Sequence, residues 1–246
     1  MRRYVNQACM EYTSNFYNKS IILNDTIKKK LRWFRIMKIY LTRHGQTEWN
    51  IENRMQGWKD SALTPEGINN AISLGNSLKN IKFNAIYTST SNRAVNTAVN
   101  TAELLSKQND TSLILNPDLR EINMGAWEGK THEEIKKAYP AQYKNFWENP
   151  MHYEPIGGET LKQFVDRVVS VFNTIISTHQ EGNILIVTHA IFLKTLLMHV
   201  KAESIINLWD PPFIHGTSLT ILEIKDKGYT IQLEGDTTHL NTPVTP

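Results

Sequence analysis

Short apolar segments alternate with segments of helical periodicity along most of the chain. The apolar runs 38–42, 85–88, 113–115 and 183–188 are rich in β-branched and aromatic residues, as buried strands are. Between these runs apolar residues recur at helical spacing, and two further strands, 218–224 and 229–233, flank a turn. This alternation predicts one α/β domain with a doubly wound, mainly parallel sheet, in which the final hairpin is the place for antiparallel pairing.

Two of the predicted strands end in a histidine. The first runs into Arg43, His44 and Gly45, and the strand at 183–188 runs into His189, followed by a predicted helix. Glycine permits the sharp turn that leaves a strand, and open α/β sheets bind ligands at the carboxyl ends of their strands. If these two strands are parallel neighbours, both imidazoles lie on one rim of the sheet. The pattern therefore predicts a functional site there.

A further cation lies at the start of a predicted helix. Ser89, Thr90 and Ser91 cap this helix, and Arg93 falls in its first turn. A cation in that position opposes the helix dipole, so we interpret Arg93 as an anion ligand rather than as a support of the helix. Arginine binds phosphate oxygens in bidentate fashion and keeps its charge.

Two arginines beside a histidine favour phosphoryl transfer. The charges of Arg43 and Arg93 should lower the pKa of His44, which keeps its imidazole neutral and nucleophilic. Phosphoryl transfer needs mainly positioning and charge stabilisation, and this set supplies both.

Composition indicates an ordinary soluble protein. The chain has 246 residues, of which 40% are hydrophobic and 21% charged. No apolar run reaches the roughly 18 residues that span a bilayer, so we expect no membrane association. The single cysteine, Cys9, cannot form an internal disulfide, which fits a cytoplasmic location.

The basic charge of the chain belongs to its first 36 residues. This segment carries eight basic and two acidic residues, a balance of +6, which leaves −3 for the rest because the whole chain has +3. Nucleic-acid binding is therefore not expected of the domain. We interpret 1–36 as a basic N-terminal extension, poorly packed or an artefact of the assigned gene start, and 37–246 as the folded domain.

Other common chemistries are not supported. The segment Gly125 to Thr131 has three residues between its glycines where a nucleotide P-loop needs four, and no G-x-G-x-x-G occurs. His132-Glu133-Glu134 lacks the second histidine of a zinc-protease helix, and no Cys/His spacing suggests structural zinc. We expect no metal and no cofactor.

The residues resemble a known family at six places in the expected order. The matching segments are Thr42 to Asn50, Leu63 to Gly67, Thr88 to Arg93, Leu119 to Glu121, Gly157 to Thr160 and Val187 to His189. This pattern resembles the histidine phosphatase superfamily in its phosphoglycerate mutase-like branch, over essentially residues 37–240. The resemblance implies a three-layer α/β/α sandwich. Segments 120–131 and 234–236 look most like the broad-specificity phosphatases of bacterial cytoplasm.

The resemblance assigns a role to each matched position. His44 would become the phosphohistidine, and Glu121 would protonate the leaving group and then activate water. Arg43, Arg93 and His189 would hold the phosphoryl oxygens without a metal. The substrate-binding set that the resemblance implies is Arg43, Asn50, Gln56, Gly57, Arg93, His189 and Ala190, the last in a place where many relatives have glycine.

Rival functions share this pocket. A cofactor-dependent phosphoglycerate mutase resembles this chain except in a longer arginine- and proline-rich insertion, whereas residues 141–155 contain several aromatics with Lys144 and His152 as their basic residues. We interpret this segment as an aromatic lid, in which Trp147 is the best candidate for a substrate contact. A broad-specificity phosphatase acting on small organic phosphates is therefore favoured. A dedicated phosphoserine or α-ribazole phosphatase, and a catalytically silent phosphate-binding module, remain alternatives, as does a monomer or a homodimer.

The interpretation of the extension yields a first prediction. A chain beginning at Met37 should match the full-length chain in solubility and in release of phosphate from an aryl phosphate. Loss of either property in the shorter chain would contradict a dispensable extension.

Overall fold

The fold is built on a six-stranded mixed sheet. The computed structural model describes residues 36–105, 111, 113–225 and 228–240; the predicted extension lies outside these ranges apart from Ile36. The strands are β1 (Met37–Arg43), β2 (Ala85–Ser89), β3 (Leu113–Asn116), β4 (Gly182–Thr188), β5 (Leu219–Lys225) and β6 (Gly228–Asp236). Their order in the sheet is β3-β2-β4-β1-β5-β6.

The sheet is parallel in its central part and antiparallel at one side. Strand β4 pairs parallel with β1 and with β2, and β2 pairs parallel with β3. Strand β5 pairs antiparallel with both β1 and β6. The predicted antiparallel hairpin is thus confirmed.

Seven α-helices occur in the described part of the chain. They are α1 (Glu48–Ile51), α2 (Pro65–Leu78), α3 (Asn92–Leu105), α4 (His132–Ala138), α5 (Pro140–Glu148), α6 (Leu161–Thr178) and α7 (Ala190–Val200). Local sequence explains several of their starts. Thr64 caps α2 with Pro65 in its first turn, and capping boxes begin α4 at Thr131 and α6 at Thr160.

Strand residues alternate between two hydrophobic cores. Ile39 and Ile184 pack on the side that also contains Phe164 of α6 and Phe192 of α7. Tyr40 and Leu185, one position further along their strands, pack with Leu74 of α2 and Ala94 of α3. Helices therefore cover both faces of the sheet, and burial of each large apolar side chain contributes roughly 1.5–3 kcal/mol. The predicted doubly wound three-layer α/β/α sandwich is confirmed.

The predicted aromatic lid is a packed layer. Trp127 contacts Phe146 and Tyr153, with ring centroids 5.4 Å apart in both pairs. Trp147 packs against Trp209 at 4.5 Å, and the Trp209 indole donates a hydrogen bond to the Phe146 carbonyl. These aromatics attach α5 to the hydrophobic core.

Two glycines bring α2 against the turn that follows β1. A Cβ on Gly67 would lie 2.2 Å from the Gln46 carbonyl oxygen, and a Cβ on Gly45 would lie 2.6 Å from the Gly67 carbonyl oxygen. Only residues without a side chain permit this approach. The backbone after His44 is thereby fixed by the first turn of α2.

No helix in the ranges described is long and apolar enough to cross a membrane.

Candidate active site

The pairing of β1 with β4 brings the two histidines together. Arg43 pairs with Thr188, so His44 and His189 follow at the same end of neighbouring parallel strands. Their ring centroids are 5.2 Å apart at an interplanar angle of 62°. The arrangement expected from the two strand ends is present.

Hydrogen bonding fixes the tautomer of His44. Its Nδ1 lies 2.8 Å from the Gly45 carbonyl oxygen. A carbonyl oxygen only accepts, so Nδ1 carries the hydrogen and Nε2 has a free lone pair. Burial, followed by the charges of Arg93 and Arg43, lowers the pKa of His44 well below its usual value. His44 is therefore a neutral imidazole with its nucleophilic nitrogen uncommitted.

Arg93 is fixed by four acceptors. Its Nη1 donates to the Lys59 carbonyl oxygen at 2.7 Å and to Asp60 Oδ1 at 3.0 Å. Its Nη2 donates to the Gly57 carbonyl oxygen at 2.8 Å and to His189 Nδ1 at 3.1 Å. The Nε–H is buried and has no partner. One N–H of this guanidinium is left for a ligand.

Asp60 compensates the positive charge of Arg93 in the first turn of α3. Its carboxylate accepts the backbone N–H groups of Asn92 and Arg93 and pairs with the Arg93 side chain. The carboxylate thus offsets the helix dipole that Arg93 opposes. Asp60 could not be identified as a partner of Arg93 from the sequence, because the two residues are 33 positions apart and meet only in the fold.

His189 is fully buried with both ring nitrogens engaged. Nδ1 accepts from Arg93, so Nε2 carries the hydrogen and donates to Ser89 Oγ at 2.8 Å. Burial and then the Arg93 charge lower the pKa of His189 well below its usual value. In this arrangement the neutral ring orients Arg93.

Arg43 supplies a second cation, which is half-buried. Its Nη1 donates to the Ile214 carbonyl oxygen at 2.9 Å, and its Nε–H is buried without a partner. Burial lowers the pKa of Arg43 to about 10, against the effect of the Glu121 carboxylate, so the guanidinium remains charged at neutral pH. Buried N–H groups normally have acceptors. The two free Nε–H groups of Arg43 and Arg93 are what an anion pocket requires.

The Glu121 carboxylate lies at the N-terminus of α7. It accepts the N–H groups of Ile191 at 3.0 Å, Phe192 at 3.1 Å and Ile122 at 3.1 Å. Burial raises the pKa of Glu121, while these N–H groups and the charges of Arg93 and Arg43 act in the opposite direction. A carboxyl group is thus held near both arginines with its pKa above the ordinary value.

A partly buried ion pair holds the backbone of Glu121. Arg167 of α6 binds Glu159 with Nε and Nη2 at 2.9 and 2.7 Å. The same guanidinium donates to the carbonyl oxygens of Asp118, Arg120 and Glu121. The loop that carries Glu121 is therefore positioned by α6, a connection that the sequence does not reveal.

The remaining predicted ligands form a network around Thr47. The side-chain oxygen of Asn50 accepts from Thr47 N and Oγ1, and the Gln56 amide donates to Thr47 Oγ1 at 2.8 Å. Gly57 contributes its carbonyl oxygen to Arg93. Ala190 is the first residue of α7, and Glu121 takes the two N–H groups that follow it. Among the described residues, no three His, Cys, Asp or Glu side chains group to hold a metal ion.

Comparison with known proteins identifies the family. The model of the histidine phosphatase superfamily (branch 1) matches residues 39–237. The solved structure of Bacillus stearothermophilus YhfR is similar with a TM-score of 0.78 and 41% identity, covering 83% of this chain and 100% of that one. The chain therefore belongs to the histidine phosphatase superfamily, branch 1, as the motifs implied.

Relatives within this family carry different names. "Putative phosphoserine phosphatase 2" of Hydrogenobacter thermophilus is 32% identical over 191 residues, which is 78% of this chain and 90% of that protein. A 2,3-bisphosphoglycerate-dependent phosphoglycerate mutase of Bartonella henselae is 35% identical over 167 residues, or 66% of this chain and 81% of that protein. Family membership alone does not separate hydrolysis from mutase chemistry.

The ion pair of Arg167 generates a second prediction. Replacing Arg167 by Met leaves the Glu159 carboxylate largely buried without its partner, which should cost about 2–4 kcal/mol in the free energy of unfolding. Urea unfolding measures this loss. Lys162→Met is the matched control, because Lys162 lies on the same helix in an exposed pair with Asp166 and should change stability by less than about 0.5 kcal/mol. Equal effects of both substitutions would contradict a structural role for the Arg167–Glu159 pair.

Proposed function

We propose that this protein hydrolyses phosphate monoesters through a phosphohistidine on His44. The observation that carries the proposal is the free Nε2 of a neutral His44 beside two charged arginines that each retain an unpartnered Nε–H. A nucleophile with a free lone pair and an anion pocket around it is the arrangement that phosphoryl transfer needs.

The first step forms the phosphohistidine. His44 Nε2 attacks phosphorus, the bond from phosphorus to the ester oxygen breaks, and its electron pair stays on that oxygen. Glu121 supplies the proton that turns the leaving alkoxide into an alcohol, a role suited to a carboxyl group with a raised pKa. Arg43 and Arg93 stabilise the charge on the transferred phosphoryl group.

The second step hydrolyses the intermediate. The Glu121 carboxylate takes a proton from water, the water oxygen bonds to phosphorus, and the bond from phosphorus to His44 Nε2 breaks. Its electron pair returns to the ring and orthophosphate leaves. In this scheme the positive charge comes from the arginines, and no step is assigned to a metal or a cofactor.

The other site residues position the reacting groups. His189 orients Arg93, and its ring centroid is 5.2 Å from that of His44. With Arg43 and Arg93, it is assigned to holding the phosphoryl group. Asn50 and Gln56 supply amide hydrogen bonds to the phosphoryl oxygens. Gly57 acts through its backbone, and the Ala190 N–H at the start of α7 provides a further donor.

The proposed substrates are small organic phosphates, which the enzyme hydrolyses with broad specificity. The proposed location is the cytoplasm, and the protein acts as a monomer or a homodimer. One relative bears the name of a phosphoserine phosphatase, and a similar structure from Escherichia coli, 25% identical, is described as an α-ribazole-5'-P phosphatase. These two esters are therefore the dedicated alternatives. A phosphoglycerate mutase is the second candidate, since relatives such as that of Bartonella henselae bear this name. Against it stands the weakly basic segment 141–155, whose aromatics are used in packing.

A substrate panel tests the proposal. Aryl phosphate, phosphoserine, α-ribazole phosphate and 3-phosphoglycerate are incubated in EDTA, and phosphate release and 2-phosphoglycerate formation are followed together. We expect release from several esters by the native protein and loss of at least about a thousandfold in His44→Ala, because the nucleophile is gone. The Lys162→Met protein serves as the control and should match the native rates. Isomerisation without release would identify a mutase, and a His44→Ala protein that keeps most activity would exclude His44 as the nucleophile.

The pH dependence follows from two opposite pKa shifts. His44 must be neutral, and its lowered pKa means that kcat/KM for an alkyl phosphate is lost only at pH well below the usual histidine range. Glu121 must be protonated for the acid step. On the alkaline side of the profile, kcat/KM therefore falls as pH rises through the raised pKa of Glu121. We therefore expect an optimum on the acidic side of neutrality. Substitution Glu121→Gln should remove the alkaline limb, and a profile centred above pH 8 would contradict these assignments.

A further inference from the structure

An exposed tryptophan is rigidly held beside Glu121. The Trp58 side chain is 42% exposed. Its backbone N–H donates to Glu128 Oε1 at 2.8 Å, and its indole N–H donates to the Glu121 carbonyl oxygen at 2.9 Å. The two hydrogen bonds hold the ring in one conformation while part of it stays exposed to solvent. A ligand can therefore contact the ring without the entropic cost of ordering the side chain.

Arg120 lies over this ring. Its guanidinium carbon is 5.1 Å from the Trp58 ring centroid, and its Nε donates to Thr90 Oγ1 at 2.7 Å. In contrast to Arg93 and Arg167, which are paired with Asp60 and Glu159, Arg120 has no carboxylate partner in the described ranges. A cation held in place without a counter-ion is prepared for an anionic group.

The proposed mechanism places the leaving group near this pair. Glu121 delivers the proton to the leaving oxygen, so the alcohol portion of the ester must extend away from phosphorus on the Glu121 side. Arg120 is the adjacent residue in the chain, and Trp58 is hydrogen-bonded to the Glu121 backbone. In this scheme the part of the alcohol beyond its first few atoms extends toward Trp58 and Arg120.

We propose that Trp58 and Arg120 form a leaving-group subsite that prefers alcohols carrying a second anionic group, such as a carboxylate. The proposal rests on the phosphatase function proposed above. Trp58 contacts the planar or apolar body of the alcohol, and the Arg120 guanidinium binds its anion. Both residues determine specificity, and neither takes part in the transfer of the phosphoryl group.

Two esters that differ mainly in the charge of one group test the subsite. They are 4-(carboxymethyl)phenyl phosphate and its methyl ester, whose rings and leaving oxygens are closely matched. We expect the native protein to prefer the carboxylate in kcat/KM by about tenfold, as one charge-assisted contact allows. The preference should shrink between low and high salt, because the contact is partly solvated.

The variants separate charge from stacking. Arg120→Met keeps an apolar stem over Trp58, should bring the preference to about one, and should leave kcat/KM for the methyl ester within about threefold of the native value. Arg120→Lys should keep part of the preference. Trp58→Leu should lower kcat/KM for both esters alike, and the control Lys162→Met should alter neither.

Each contrary outcome is distinguishable. Native protein that hydrolyses both esters equally at low salt would overturn the subsite and leave the phosphatase function intact. Native protein that hydrolyses neither would overturn both proposals. A preference that survives in Arg120→Met would also overturn the subsite. If that variant unfolds, judged by circular dichroism, the salt dependence of the native preference decides, and a preference that salt does not change would refute an ionic contact.

Discussion

Holding two arginine charges next to a pair of histidines is the constraint on which the rest of the site depends. Arg93 can stay charged away from water because carbonyl oxygens, Asp60 and His189 accept four of its N–H groups. Arg43 is half-buried and donates to the Ile214 carbonyl oxygen. Burial, reinforced by the charges of these arginines, lowers the pKa of both His44 and His189 and keeps the rings neutral. In the proposed mechanism, the charges that bind the phosphoryl group therefore also help to keep the nucleophile neutral.

Two loops, the segment after Gln56 and the loop that carries Glu121, are held in place by hydrogen bonds to other parts of the chain. The segment after Gln56 turns its carbonyl oxygens toward Arg93, while Glu128 accepts the N–H groups of Trp58 and Lys59. The loop before Glu121 is bound by Arg167, and the Glu121 carboxylate caps α7. Both loops are thus tied to helices on the two faces of the sheet, which keeps the reacting groups in place before a substrate arrives.

Aromatic residues serve two purposes that the sequence does not distinguish. Trp147 of α5, the candidate for a substrate contact, packs against Trp209 and contributes to the core. The sequence does not distinguish Trp58 from Trp147, yet Trp58 is partly exposed to solvent and lies beside Glu121, the proposed acid. The difference depends on which neighbours each ring meets, and those neighbours are distant in the chain.

The strands, the capped helices, the two histidines at strand ends and the position of Arg93 in a first helical turn are predictable from the amino-acid sequence, because periodicity, caps and strand ends are local patterns. The six motifs also indicate the family. The partners of these residues are visible only in the folded molecule. Asp60, Gly57 and Lys59 hold Arg93, His189 contacts Arg93 and Ser89, and Arg167 positions Glu121. Many of these contacts use backbone carbonyl and N–H groups, which every residue possesses. No residue type marks which of them will become a partner, so the answer depends on how distant segments meet around the sheet.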